Sequence, residues 1–441
     1  MKLSYTSILV FILVAPFLSF SVYADEETIT TNESPSKKLS LRQAFQKAAE
    51  FNPVLKAKKA ELEVKSGQIL QAGLLPNPVV HFEFEKFGGN GQFSGTKSME
   101  SSFSLSQELP VSGKNQKEQK LEKIGRQISE SEFQAELLKI KIELTRVYLN
   151  LASLQKLKTI EEEDLKLSRE NLEAVRKKSE AGEIPMLDLT RAKVELAAEN
   201  TNYQKLIREI ELNSLSLSNF WLESDADLVV ADTLPCKSNL APEWLEKVEE
   251  KIEQNPELTI AKKQLNAAKA KKSLEKAKSG LDIELEAGIF KSRADQKHSY
   301  FAGISLPLKI FDDNRGSIKS AAAQIKMQEQ LLQKTEIDLR TRTISLKKQL
   351  KAISSEARSA REILVPGAKA AYEQIKRAYE EGERQLFEVF DARRILLEAQ
   401  KACIQLETEE LKLISELLLL TNQDELLFSI LSQNESEINH D

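Results

Sequence analysis

His81, Glu83 and Glu85 are the side chains whose types and spacing come nearest to chemistry. Two residues apart in an alternating run, they share one face of extended chain. They offer an imidazole and two carboxylates, the kind of group that ligates a divalent cation. A solvated strand face has the same look, and the rest of the chain does not complete a site. His298 and His440 are the only other histidines, and four Met and two Cys are scattered, so no cluster has metal-ligand spacing. The stretch GGNGQFSG at 88–95 lacks the Lys-Ser/Thr ending of a phosphate loop and lies between strands. No Ser-His-Asp spacing or activated cysteine emerges either. The expectation is a chain without catalytic residues, cofactor or dedicated metal site, and not an enzyme.

Those residues belong to the stretch Leu75–Pro110, two alternating runs around a Gly-rich loop, fenced by prolines. In the first run Phe82, Phe84 and Val80 share one face, with His81, Glu83 and Glu85 on the other. In the second, Met99, Ser101, Phe103 and Leu105 alternate with Glu100, Ser102, Ser104 and Ser106. Period-two alternation predicts strands with one apolar and one polar face. A second such hairpin is predicted at Leu281–Pro307, where Leu281, Ile283, Leu285 and Ala287 alternate with Asp282, Glu284 and Glu286.

Long helices surround these strands. The chain has 15 Gly and 12 Pro in 441 residues, and 30% of it is charged. That balance suits amphipathic helices with solvated faces. A net charge of −5 from 63 basic and 68 acidic residues gives no basic surplus for nucleic acid. Met1–Ala24, with Lys2 before an apolar core, reads as a secretory signal peptide, and no cysteine follows that core to carry a lipid anchor. No later run of about 18 apolar residues predicts a membrane-spanning helix. Cys236 and Cys403 allow one bridge in an oxidising compartment, with two free thiols the favoured reading.

Residues 25–38 are expected to be disordered. Residues 39–222 form a first repeat: a helix broken at Asn52-Pro53, a strand hairpin at 79–108, and a long helical hairpin with its tip at 181–185. Leu137, Leu144 and Leu151 with Ile140, Val147 and Leu154 mark a heptad seam in that hairpin. Its descending arm of about 65 residues would extend roughly 100 Å. Residues 223–242 read as a linker. Residues 243–422 repeat the plan, with Asn255-Pro256, a strand hairpin at 281–306 and a tip at 381–385. The second helix after the strands is expected to begin near Gly316, as the first does near Gly113, and Pro366-Gly367 to kink it. Residues 423–441 read as a polar tail. The duplication is the strongest organisational signal.

Four strands cannot close into a barrel, because the smallest transmembrane barrels need about eight. Exported strands with one apolar and one polar face therefore predict a homo-oligomer whose copies share one β-barrel. Its lumen would carry Glu83, Glu85, Glu100, Asp282, Glu284 and Glu286, a lining that favours cations. A soluble sheet with a charged face, a periplasmic coiled-coil adaptor and an exported scaffold are the competing readings.

Over Leu39–Thr421 the chain resembles the TolC family of outer-membrane efflux proteins. The matching residues are Asn52-Pro53, Ala72–Pro78 (AGLLPNP), Ser104–Gln107, Tyr379–Gly382 and Leu386–Ala392. AGLLPNP followed by HFEFEKFGG resembles the CzcC-like branch, which handles cobalt, zinc and cadmium. The resemblance implies an α+β membrane protein, a homotrimer with a 12-stranded barrel in outer-membrane lipid. That barrel continues into a periplasmic α-barrel. It implies the exit duct of a tripartite efflux system, with a periplasmic adaptor and an inner-membrane transporter of the resistance-nodulation-division type. Heavy-metal cations are the expected substrate, with drug efflux or type I protein secretion as alternatives. It also implies a periplasmic gate: Asp188, Tyr379 and Arg384 as closing contacts, and Glu388 and Asp391 as an acidic ring. The Gly182 and Gly382 tips, which end the longest rods, are expected to meet the adaptor.

Overall fold

A computed structural model describes residues 38–231 and 242–432. The expected signal peptide, most of the linker with Cys236, and residues 433–441 with His440 lie outside the described residues.

Each repeat opens with an asparagine cap. Helix α1 (Leu41–Phe51) ends at Asn52, and α2 (Pro53–Gly73) starts there. Asn52 Oδ1 accepts from the N–H groups of Val54 and Leu55, while its Nδ2 donates to Phe220 O at 2.9 Å. Proline fits the first helical position because that N–H needs no partner. Strands β1 (Val79–Glu85) and β2 (Glu100–Leu109) follow, then α3 (Lys114–Glu180) and its return α4 (Met186–Ser218).

The second repeat begins with a short helix, α5 (Pro242–Lys247), and then α6 (Pro256–Lys278). Asn255 caps α6 through the Glu257 N–H and donates to Leu420 O at 3.3 Å. Both asparagines thus tie the start of a repeat to the end of a long return helix. Strands β3 (Ile283–Ser292) and β4 (Lys297–Ser305) lead to α7 (Arg315–Ser359). A five-residue π-turn, Ala360–Leu364, joins α7 to α8 (Val365–Glu380). There, at the predicted kink, the wider turn accommodates Pro366, which has no N–H to give the helix. Helix α9 (Leu386–Leu420) returns, and α10 (Asp424–Ser432) ends the described chain.

One expectation is corrected here. Residues 424–432, read as part of a polar tail, are helical; Leu427, Ile430 and Leu431 are buried in the core, and Phe428 stacks edge-on against Phe45. Helix α7 begins at Arg315, beside Gly316 as expected, and Asn314 stands where Gly113 stands in the first repeat. Gly113 (φ 71°) and Asn314 (φ 62°) both stand in the left-handed region immediately before α3 and α7. Asparagine tolerates that region better than other residues with a side chain. Asn314 Nδ2 also donates to the Glu275 carboxylate at 2.9 Å, the main cause of that group's pKa falling to about 2.

The four strands form one antiparallel sheet in the order β1-β2-β3-β4, so the two hairpins are joined by a β2–β3 seam. In the register, Phe82 faces Phe103, Phe103 faces Ile289, and Ile289 faces Tyr300. Among the helices, the main core draws on α1, α2, α3, α4, α7, α9 and α10, with Tyr148, Leu151, Leu217, Ile414 and Leu417 fully buried.

Helices α3 and α9 run antiparallel along a series of buried carboxylates. Glu416 accepts from Arg146 at 2.6 Å and from Arg342 at 2.9 Å. Glu407 pairs with Lys156 (3.3 Å) and with Arg361 of the π-turn (3.1 Å). Lys401 pairs with Glu161, and Arg393 with Asp164.

If the two asparagine ties are equivalent, Asn52→Ala and Asn255→Ala should destabilise the fold alike. Loss of a cap costs about 1–2 kcal/mol. Thermal unfolding of the purified variants should show matching decreases; a decrease in one alone would contradict the equivalence.

Candidate functional site

The sheet has one largely apolar and one largely polar face. One face carries Val80, Phe82 and Phe84, Phe103 and Leu105, Leu285 and Ile289, Tyr300 and Ile304. These are exposed, Tyr300 at 75% and Ile304 at 70%. An apolar surface of that extent on a four-stranded sheet is a surface for something other than water. Lys291 and His298, which face each other, bound it at the hairpin-loop end.

The opposite face holds the predicted acidic residues. Glu83, Glu85, Glu100, Glu284 and Glu286 share it by register, with Glu85 directly across from Glu100. Lys86 pairs with Glu100 at 2.7 Å, and Ser104 Oγ donates to Glu286 at 2.6 Å. His81 lies 3.3 Å from Ser106 Oγ on the same face. Asp282 precedes β3 and is drawn into the strand–helix junction. There it pairs with Lys114 at 2.6 Å and accepts from Ser112 at 3.0 Å. The register also places two unforeseen aromatics, Phe290 and Phe301, on this polar face. A Cβ on Gly288 would sit 2.6 Å from the Phe301 ring, so glycine there makes room for it. Among the described residues, no group of three or more His, Cys, Asp and Glu side chains is arranged to hold a metal ion. Cys403 is free and buried, and burial beside Glu407 pushes its thiol up.

At the far end of the helices the two tips are built alike. Gly182 (φ 76°) and Gly382 (φ 81°) are left-handed and end α3 and α8. The Glu183 N–H reaches Lys178 O at 2.9 Å, and the Glu383 N–H reaches Ala378 O at 2.8 Å. These are Schellman caps, which favour glycine because of the positive φ. Beside them Met186 and Leu187 are exposed, 69% and 57%. Val175, Leu189 and Ala192 form a small core there, against which Leu386 and Phe390 pack.

The predicted gate residues lie around these tips but mostly pair within their own helices. Arg384 bonds Glu388 at 2.9 Å, and Asp391 bonds Arg394 at 2.6 Å. Asp188 lies 3.9 Å from Arg191. Tyr379 alone reaches across, with Lys178 Nζ 5.2 Å from its ring centre. Asp391 and Arg394 also line a groove between α4 and α9 with Val194, Phe387 and Phe390.

Sequence reasoning missed the cluster further up. Arg393 of α9 contacts Asp164 of α3 and lies 3.8 Å from Glu199 of α4, which also receives Ser168 Oγ. Arg393 and Asp164 are each 5% exposed. One guanidinium faces two carboxylates, so the second is left without full compensation. Burial, reinforced by the Asp164 charge, pushes the Glu199 carboxyl up to about 7. Asp164 Oδ2 and Arg393 Nη1 have no hydrogen-bond partner, which leaves the three-helix joint incompletely satisfied.

Residues 44–221 and 248–422 match the family model described as Outer membrane efflux protein. The chain is 23% identical over 367 residues to the cobalt-zinc-cadmium resistance protein CzcC of Cupriavidus metallidurans, covering 82% of this chain and 85% of that protein. Its fold is similar to the crystal structure of CusC (TM-score 0.72, 16% identity, 86% of this chain and 91% of that one). It is likewise similar to the outer membrane protein VceC of Vibrio cholerae (TM-score 0.70, 17% identity, 86% and 95%).

The buried joint also has a pH signature. In the folded chain Glu199 holds a proton up to about pH 7, where the unfolded carboxyl, near 4.5, has lost it. The folded state therefore binds more protons in that window, and stability falls as pH rises through it. Glu199→Gln keeps the neutral shape. Its thermal transition should match the parent's near pH 5 and exceed it near pH 8; a constant offset at both pH values would show that Glu199 does not titrate there.

Proposed function

Because this chain belongs to the outer membrane efflux protein family, we propose that it is the passive exit duct of a tripartite pump for heavy-metal cations. The protein is an outer-membrane channel component with long helices that extend into the periplasm. In the proposed assembly three copies pair β4 of one with β1 of the next, giving a closed 12-stranded barrel. The apolar face meets lipid and the acidic face lines the lumen. The observation that carries this reading is the sheet itself, two-faced and open at both edges. A barrel is the form in which strands cross lipid with their backbone groups satisfied.

The role of that relative in cobalt, zinc and cadmium resistance supports cations as the cargo. So does the acidic face, since rings of carboxylates favour cations. Selection in such a duct is weak. The choice of cargo then rests with the inner-membrane pump of the resistance-nodulation-division type, and the adaptor joins the two. The Gly182 and Gly382 tips are the proposed adaptor contacts, with exposed Met186 and Leu187 beside them to supply apolar surface.

In this reading Asp188, Tyr379 and Arg384 make the weak contacts that hold the periplasmic entrance closed. Glu388 and Asp391 ring it, moderated by Arg384 and Arg394. Exposed ion pairs contribute about 0–1 kcal/mol each, so modest adaptor binding could open them.

A strain lacking the protein should lose resistance to zinc, cobalt and cadmium and keep its drug tolerance. The reverse pattern would transfer the duct to drug efflux. Complementation with Met186→Glu combined with Leu187→Glu should leave the strain sensitive while trimer yield stays normal; full resistance would remove the tips from docking. The glycines themselves are unsuited to this test, because any side chain at their positive φ strains the cap.

In planar bilayers, Glu388→Ala with Asp391→Ala should lower cation-over-anion selectivity. Unchanged selectivity would place the acidic constriction elsewhere.

A further inference from the structure

The apolar stripe of β4 does not stop where the ladder stops. Tyr300, Ala302 and Ile304 carry the lipid-facing side, and Ser305 is the last ladder residue, opposite Glu284. Leu306 and Leu308 continue the same alternation, and a tight turn follows, with the Ile310 N–H on Leu308 O at 3.0 Å. Ile310 and Phe311 come next. Leu308 is 76% exposed, Ile310 73% and Phe311 95%, the highest value among the exposed large apolar side chains. On the alternate side, Lys309 donates to the carbonyls of Lys278 and Gly280, which pins this segment to the end of α6. The apolar run then ends abruptly at Asp312-Asp313-Asn314. Both aspartates cap the chain, accepting from the Asn314 and Arg315 N–H groups at 3.0 and 3.1 Å.

Membrane dimensions give this extension a purpose. From Tyr300 to Ile304 the ladder spans about 14 Å along the strand, or about 10 Å of depth at a tilt of about 40°. A transmembrane barrel presents an apolar band about 25 Å tall. Carrying the stripe on to Leu308 brings the depth to roughly 20 Å, and Ile310 with Phe311 supplies the remainder. Leu75, before β1, and Val111, after β2, are exposed at the same end of the sheet and add apolar surface there.

We propose that Leu306–Phe311 is a membrane-interface anchor that inserts Leu308, Ile310 and Phe311 into the periplasmic leaflet of the bilayer. It thereby sets the depth of the barrel. The partner is phospholipid: acyl chains beside Leu308, and the headgroup boundary at Phe311, where Asp312 and Asp313 return the chain to water. The proposal rests on the reading that the apolar sheet face meets lipid, and the test separates the two.

Phe311→Trp and, separately, Ile304→Trp are made in the full-length protein and reconstituted into phosphatidylcholine vesicles. Fluorescence is compared with the parent, whose Trp221 and Trp244 set the background. Lipids brominated at shallow and deep acyl positions serve as quenchers. The added emission at 304 should be quenched by the deep bromines. At 311 it should be blue-shifted and quenched most by the shallow ones. Quenching at 304 with water-like, unquenched emission at 311 would overturn the anchor alone. Blue-shifted but unquenched emission at 311 would overturn it in favour of burial against a second copy. No quenching at either position would overturn the lipid-facing assignment and the anchor with it.

Discussion

The free edges of β1 and β4 are the constraint on which the rest of this structure depends. Within one chain the outer N–H and C=O groups of these strands have no ladder partner among the described residues. In water such edges are tolerable. In hydrocarbon each unsatisfied group costs several kcal/mol. A sheet of this kind is therefore stable in a membrane only where other strands complete it. In the proposed assembly the long helices are the apparatus that brings those edges together.

That apparatus is positioned more by charge than by the heptad seam. The α3–α9 pair is threaded by buried carboxylates, each met by a cation from another helix. Buried ion pairs are weak sources of stability, since desolvation offsets most of the attraction. Their effect here is on register. Sliding α9 by one turn would leave several carboxylates buried without partners, at several kcal/mol each. Leucines at heptad spacing tolerate such a slip far better. Arg361, in the π-turn, extends the same control to the joint between α7 and α8.

Much of this was legible in the sequence because the signals are local. Asn-Pro announces a capped helix start, a glycine after a long helix announces a left-handed stop, and alternation announces a two-faced strand. Each is decided within about five residues. What escaped depends on distant parts of the chain. The cluster of Asp164, Glu199 and Arg393 joins three helices, and Arg393 lies 229 residues from its aspartate. No spacing rule relates them. The displacement of Asp282 from the acidic face into a pair with Lys114 is of the same kind. The left-handed conformation of Asn314 was not legible because asparagine marks such a residue less distinctly than glycine does. The α10 helix was hidden by its length and its flanks: five of its nine residues are apolar, but so short a run between polar neighbours shows no sustained period, and only the core beneath it reveals its partner.

The β2–β3 seam imposes an order of events on folding. Ser104 meets Glu286 across a separation of 182 residues, whereas Lys86 meets Glu100 across 14. Closing the longer loop costs about 2 kcal/mol more in chain entropy, and far more time when contacts are so distant. The hairpins can form as soon as they emerge, but the seam must wait for the second repeat to be delivered and for the helices to align it. During that interval two apolar hairpins stand with their edges open, the state most prone to aggregation. The chain's most vulnerable moment is thus kinetic, and it falls before the protein reaches the membrane that its strands are built for.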